Sequence, residues 1–99
     1  MEELLLDARA MPPPEPFEQA SGILREMVPG QYLRMHHRRV PYPLFELCQA
    51  MSLNYRLIEK GRDSYIILVY FPADEPRLPQ ERLPQGRLPQ GRLPQEKLL

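Results

Sequence analysis

The sequence predicts a two-layer α/β (α+β) sandwich built in the order β-α-β-α-β-β. Three observations carry that prediction. Four short apolar runs, at 3–8, 31–37, 55–60 and 64–71, have the length and composition of strands. Two intervening stretches place apolar residues at helical spacing. Prolines punctuate each handover from strand to helix, where a missing backbone donor is tolerated.

The first run, 3–8, is leucine-rich and must end before Pro12, Pro13 and Pro14, because proline adds no donor to a ladder. Phe17, Ala20, Leu24, Met27 and Val28 then recur on one helical face, widened by Ile23, until Pro29 and Gly30 stop the helix. In the second run Leu33, Met35 and His37 point one way, with Tyr32, Arg34 and His36 the other. A second proline-marked start, Pro41-Tyr42-Pro43, opens a helix whose Leu44, Leu47, Cys48 and Met51 form a buried stripe. Residues 55–60 and 64–71 read as a hairpin across Gly61-Arg62-Asp63. The last run is apolar on both faces and so belongs inside the sheet. Right-handed crossovers then set both helices on one face. The other face, including Leu5, Tyr32 and Arg34, is left without a layer. A second copy, another protein or the chain's own tail are its candidate covers.

Domain organisation follows from a change of character near Pro72. Residues 1–74 form the folded domain. Residues 75–99 are a low-complexity tail in which Arg-Leu-Pro-Gln begins at Arg77, Arg82, Arg87 and Arg92. Proline every fifth residue forbids a helix, and one leucine per unit buries little, so an extended, disordered tail is expected. It reads either as slippage-derived repetition or as an arm offering several weak Leu-Pro sites.

Formal net charge is zero, with 8 Lys/Arg against 10 Asp/Glu in 1–74 and 5 against 3 in 75–99. No global field attracts a polyanion. Arg34, Arg38, Arg39 and Arg56 with Tyr32 and Tyr55 are thus read as ordinary sheet residues, and nucleic acid is not an expected partner. The single Cys48 excludes an intramolecular disulfide and any multi-cysteine zinc site. The acidic start and short apolar run fit neither a signal peptide nor a membrane span, so a cytoplasmic location is expected and no membrane association.

The run Leu6-Asp-Ala-Arg-Ala-Met-Pro-Pro-Pro-Glu-Pro16 resembles the signature of the TusA/SirA-like sulfur-carrier superfamily, Leu-Asp-x-x-Gly-Leu-x-Cys-Pro-x-Pro. Leu6, Asp7, Pro14 and Pro16 match. Met11 replaces leucine, Ala10 stands for glycine, and Pro13 occupies the position of the sulfur-carrying cysteine. The resemblance spans about residues 4–71 and identifies the chain with an uncharacterised, cysteine-less branch, a domain of unknown function. It implies a mixed four-stranded sheet of order 1-2-4-3 with the last strand antiparallel, which also places the most apolar strand inside.

A carrier thiol needs an exposed thiolate at a helix mouth rich in free N–H groups. Pro13 has no thiol, and within 12–17 only Glu15 and Phe17 carry a backbone donor. The leading reading is therefore a non-enzymatic module that binds a protein partner or a small ligand, with no cofactor. Its candidate surface is the sheet edge at the C-terminal ends of the first two strands: Arg9, Met11, Glu15, His36, His37, Arg38, Arg39 and Tyr42. Two alternatives stand beside it. One is redox or sulfur handling through Cys48, against the preference of an unmodified cysteine for the core. The other is metal or haem binding through His36 or His37, against the opposite directions of neighbouring strand residues.

Overall fold

A computed structural model describes residues 1–79. The elements are β1 (Glu2–Asp7), α1 (Glu15–Glu26), β2 (Gln31–His37), α2 (Tyr42–Ala50), β3 (Asn54–Gly61) and β4 (Ser64–Tyr70). A 3-10 helix, Pro72–Arg77, follows them. The sheet runs β1-β2-β4-β3, with β1 parallel to β2 and β4 antiparallel to both its neighbours. This is the expected two-layer sandwich and strand order.

β4 is central because it has no polar face to give to water. Ile66, Ile67, Leu68, Val69 and Tyr70 are all buried in succession. Ile67 and Val69 join Leu33 and Met35 of β2 beneath Ala20 and Leu24 of α1 and Leu44, Phe45 and Cys48 of α2. One core layer therefore lies between the sheet and both helices. Phe45 stacks on Tyr55 of β3, ring centroids 4.0 Å apart and nearly parallel, which ties α2 to the far edge strand.

Both helices begin without a side-chain cap. Pro14 and Pro41 stand at the caps, with Pro16 and Pro43 at the second helical position. In α1, Glu15 and Glu18 in the first turn and Arg25 in the last complement the helix dipole. Its buried face is displaced from the expected stripe. Pro16, Ala20, Ser21 and Leu24 point inward, whereas Phe17 and Val28 are exposed. Ser21 is accommodated because its Oγ donates to the Glu18 carbonyl at 3.1 Å, so the buried hydroxyl has a partner.

The face away from the helices is not bare. Leu78 is buried with Tyr32, Ile58, Ile66, Leu68 and Tyr70 in a second apolar cluster. The 3-10 helix delivers it there as a strap. Asp74, buried, accepts from the Gly30 N–H at 2.8 Å and from Arg77 Nη1 at 3.4 Å, and Glu75 pairs with Arg56 at 3.5 Å. Gly30 takes φ +95°, a conformation that disfavours a side chain, and its carbonyl also accepts from the Glu2 N–H. One residue thus joins β1, β2 and the strap.

Two expectations change accordingly. Tyr32 was read as lying on an uncovered face, yet it is buried, and its hydroxyl donates to Glu3 Oε1 at 2.7 Å. The strap leaves the β1 side open, where Leu5 remains 62% exposed. The boundary at residue 74 falls inside the 3-10 helix, and packing continues through Leu78. The tail from residue 80 lies outside the described residues.

Burying Leu78 contributes roughly 2 kcal/mol, and Asp74 holds the turn that delivers it. Asp74→Ala leaves the Gly30 donor without its acceptor and releases the strap. The expected loss is about 1–3 kcal/mol of unfolding free energy, read from urea denaturation.

Candidate functional site

The parallel pairing of β1 with β2 brings their C-terminal ends to one edge, in register at Asp7 and His36. The chain leaving β1 turns at once. Asp7 accepts from the Arg9 N–H at 3.2 Å and from Arg9 Nε and Nη2 at 2.8 and 2.7 Å. That bidentate pair holds the Asp7 carboxyl well below the usual carboxylate range. Ala8 is buried and donates to the His36 carbonyl at 2.8 Å, fixing the start of the loop to β2.

The loop leaving β2 is organised by His37. Its Nδ1 accepts from the Arg38 N–H at 2.8 Å and lies 3.4 Å from the Arg39 N–H. Burial, and then the charge of Arg39, lower its pKa. An imidazole that accepts at Nδ1 carries its proton on Nε2.

These two loops and both helix starts enclose a cleft of about 720 Å³, a volume within the range of small-ligand sites. Ala8, Met35 and Leu44 form apolar parts of its lining, and Met11, Phe17, Val40 and the prolines at 12–14, 16, 41 and 43 form others. Arg9, His37, Arg38, Arg39 and Asp63 bring the polar groups. Among the described residues, the Arg38 and Arg39 guanidinium groups have no carboxylate partner. Arg38 only reaches the Arg9 carbonyl at 3.4 Å, whereas Arg9 is held by Asp7.

Five of the eight expected site residues therefore come together: Arg9, Met11, His37, Arg38 and Arg39. Glu15, His36 and Tyr42 do not line the cleft. The Glu15 N–H closes a turn to the Pro12 carbonyl, and Tyr42, 68% exposed, packs edge-on against Phe45. His36 lies on the opposite sheet face from His37, where its field reaches Glu3 and Asp7. The pair cannot share a metal from there. His37 alone is a poor ligand, since Nδ1 is engaged and Nε2 is protonated. No group of three or more His, Cys, Asp or Glu side chains suited to a metal occurs among the described residues. Sequence reasoning overlooked Asp63, which arrives because β2 and β4 are antiparallel and pair His37 with Tyr65. That pairing was the available signal.

Neither helix mouth offers an anion cradle. The Glu15, Tyr42, Leu44 and Phe45 N–H groups donate to the Pro12, Val40, Pro41 and Pro41 carbonyls respectively, and Pro16 and Pro43 have none. Among the described residues no cysteine, serine, threonine, tyrosine or lysine lines the cleft. Cys48 is buried in the core with 0% exposure, and burial pushes its thiol up to about 11. Both properties oppose thiol chemistry. No described helix is long and apolar enough to cross a membrane.

Two measurements check this geometry. Iodoacetamide at neutral pH should leave Cys48 unmodified in the folded chain and alkylate it on unfolding, as mass spectrometry will read. The His37 ring should titrate below the ordinary 6.5 in an NMR series. Its neutral form is favoured in the folded chain, so its contribution to stability is present above pH 6.5 and is lost as pH falls through the folded pKa. A His37→Gln variant should flatten that leg of the denaturation-midpoint profile.

The comparisons with known proteins bear on the same segment. No curated protein and no solved structure matches the chain. Residues 5–70 match the family described as uncharacterized conserved protein (DUF2249), a stretch that runs from within β1 to the end of β4 and includes both loops of the cleft, and the chain belongs to that family.

Proposed function

We propose that this chain is a non-catalytic binding module on a TusA/SirA-like scaffold, acting in the cytoplasm, with Pro13 in the position of the carrier thiol. Its ligand is a small molecule, or a side chain of a protein partner, with an apolar body and a carboxylate end. The observation that carries this reading is the pairing of an apolar, proline-rich lining with two guanidinium groups, Arg38 and Arg39, that no carboxylate neutralises among the described residues. The apolar lining favours burial of a compact hydrophobic group. Guanidinium groups recognise a carboxylate in a fixed fork geometry. The proline-rich, donor-poor helix mouths leave side chains, rather than backbone N–H groups, to receive the negative charge.

The test is a pair of titrations of the ¹⁵N-labelled full chain, with N-acetyl-leucine and with its neutral amide. The carboxylate should shift the non-proline amides of residues 9–17 and 37–44. The amide should bind more weakly at the same positions. An Arg38→Ala/Arg39→Ala double variant should weaken carboxylate binding roughly five- to thirty-fold, since each exposed ion pair contributes about 0.5–1 kcal/mol. Equal binding of the two compounds, or shifts confined to other surfaces, would sink the reading.

A further inference from the structure

The first Arg-Leu-Pro-Gln unit begins at Arg77, and its leucine is the one seated on the sheet face away from the helices. The seat is formed by Tyr32, Ile58, Ile66, Leu68 and Tyr70. Leu78 sits there at φ −67°, ψ 145°, an extended backbone. The proline that follows imposes it, because a residue before proline is pushed out of the helical region. Arg77, one residue earlier, reaches Asp74 Oδ1 at 3.4 Å.

The leucine and the proline that follows it belong to the unit, whereas the Arg77–Asp74 pair is an i, i+3 contact within the 3-10 helix. Leu83, Leu88 and Leu93 are each followed by proline and preceded by arginine. A residue that precedes proline favours an extended backbone, the shape that Leu78 adopts. Among the described residues there is one such seat, filled by Leu78, and the sequence holds three further units. Leu93 is fifteen residues beyond Leu78, up to roughly 50 Å of extended chain. The longest dimension of the described residues is 34 Å. The later units can therefore reach past their own domain.

We propose that this sheet face is a docking site for Arg-Leu-Pro-Gln units, filled by the unit at Arg77 in its own chain and open, when that unit lifts, to the units at Arg82, Arg87 and Arg92 of a second copy. Asp74 stays in place through the Gly30 N–H and offers its carboxylate to the incoming arginine. Docking through several weak units on one arm makes the association steeply dependent on concentration and on the number of leucines. The seat lies on the opposite face from the cleft of the preceding section, so the two proposals stand or fall separately.

The probe is a synthetic peptide of residues 86–95, Gly-Arg-Leu-Pro-Gln-Gly-Arg-Leu-Pro-Gln, titrated into the ¹⁵N-labelled full chain. The expected result is movement of the Tyr32, Ile58, Ile66, Leu68 and Tyr70 amides, with at least tenfold tighter binding to a Leu78→Ala full chain, whose seat is empty. A peptide with both leucines changed to serine should move none of them. If Leu78→Ala does not fold, the wild-type titration and its serine control decide the matter at millimolar peptide. Sedimentation velocity gives the second readout. The weight-average mass of the wild type should rise with concentration, and a Leu83→Ser/Leu88→Ser/Leu93→Ser variant should stay monomeric. Silent amides at the five positions, equal effects of the leucine and serine peptides, or identical sedimentation of the two full chains would each overturn the proposal.

Discussion

The structure depends on β4 being apolar on both faces. An amphipathic strand asks for one layer of cover, but five consecutive buried residues, Ile66 to Tyr70, ask for two. The helices supply the first, through Leu24, Leu44 and Cys48. The second comes from a six-residue 3-10 helix and a single leucine, held by one buried carboxylate on one backbone donor. The two sides are unequal in area, which leaves Leu5 and the β1 edge open while the β3–β4 side is closed.

The central place of β4 also builds the cleft. Because β4 separates β2 from β3, the β3–β4 turn returns to the edge where β1 and β2 end, and Asp63 joins the two loops there. The proline content of those loops then sets what the cleft can do. Proline removes donors from both helix mouths, and local turns use the Glu15, Tyr42, Leu44 and Phe45 N–H groups. A cleft lined in this way presents shape, apolar contact and side-chain charge. His37 serves the loop itself, accepting the backbone donors that follow it.

Much of this was legible in the sequence, for reasons that can be named. Alternation fixed which residues of β2 face the helices, and the two-sided apolarity of 66–70 fixed which strand is central. The edge carrying Arg9, Met11, His37, Arg38 and Arg39 followed from parallel pairing. The errors share a cause. Phe17 and Val28 were assigned to the core, and Ser21 and Pro16 were not, because apolarity was taken as a proxy for burial. A hydroxyl bonded one turn back and a proline ring at a helix start bury as readily. His36 was grouped with His37 although a one-residue step reverses a strand side chain. The strap was illegible because its anchor, Asp74 to Gly30, joins residues 44 positions apart, and a lone leucine among prolines has no periodicity to detect.

The family match ends at residue 70, where β4 ends, and the strap begins two residues later. A fragment cut to the matched segment would keep both helices and three whole strands with the second half of β1, yet expose Ile58, Ile66, Leu68 and Tyr70 to solvent as a sticky flank. The packed domain therefore extends beyond the segment by which its kinship is recognised. During synthesis that flank also stays wet until the final stretch of the domain has left the ribosome.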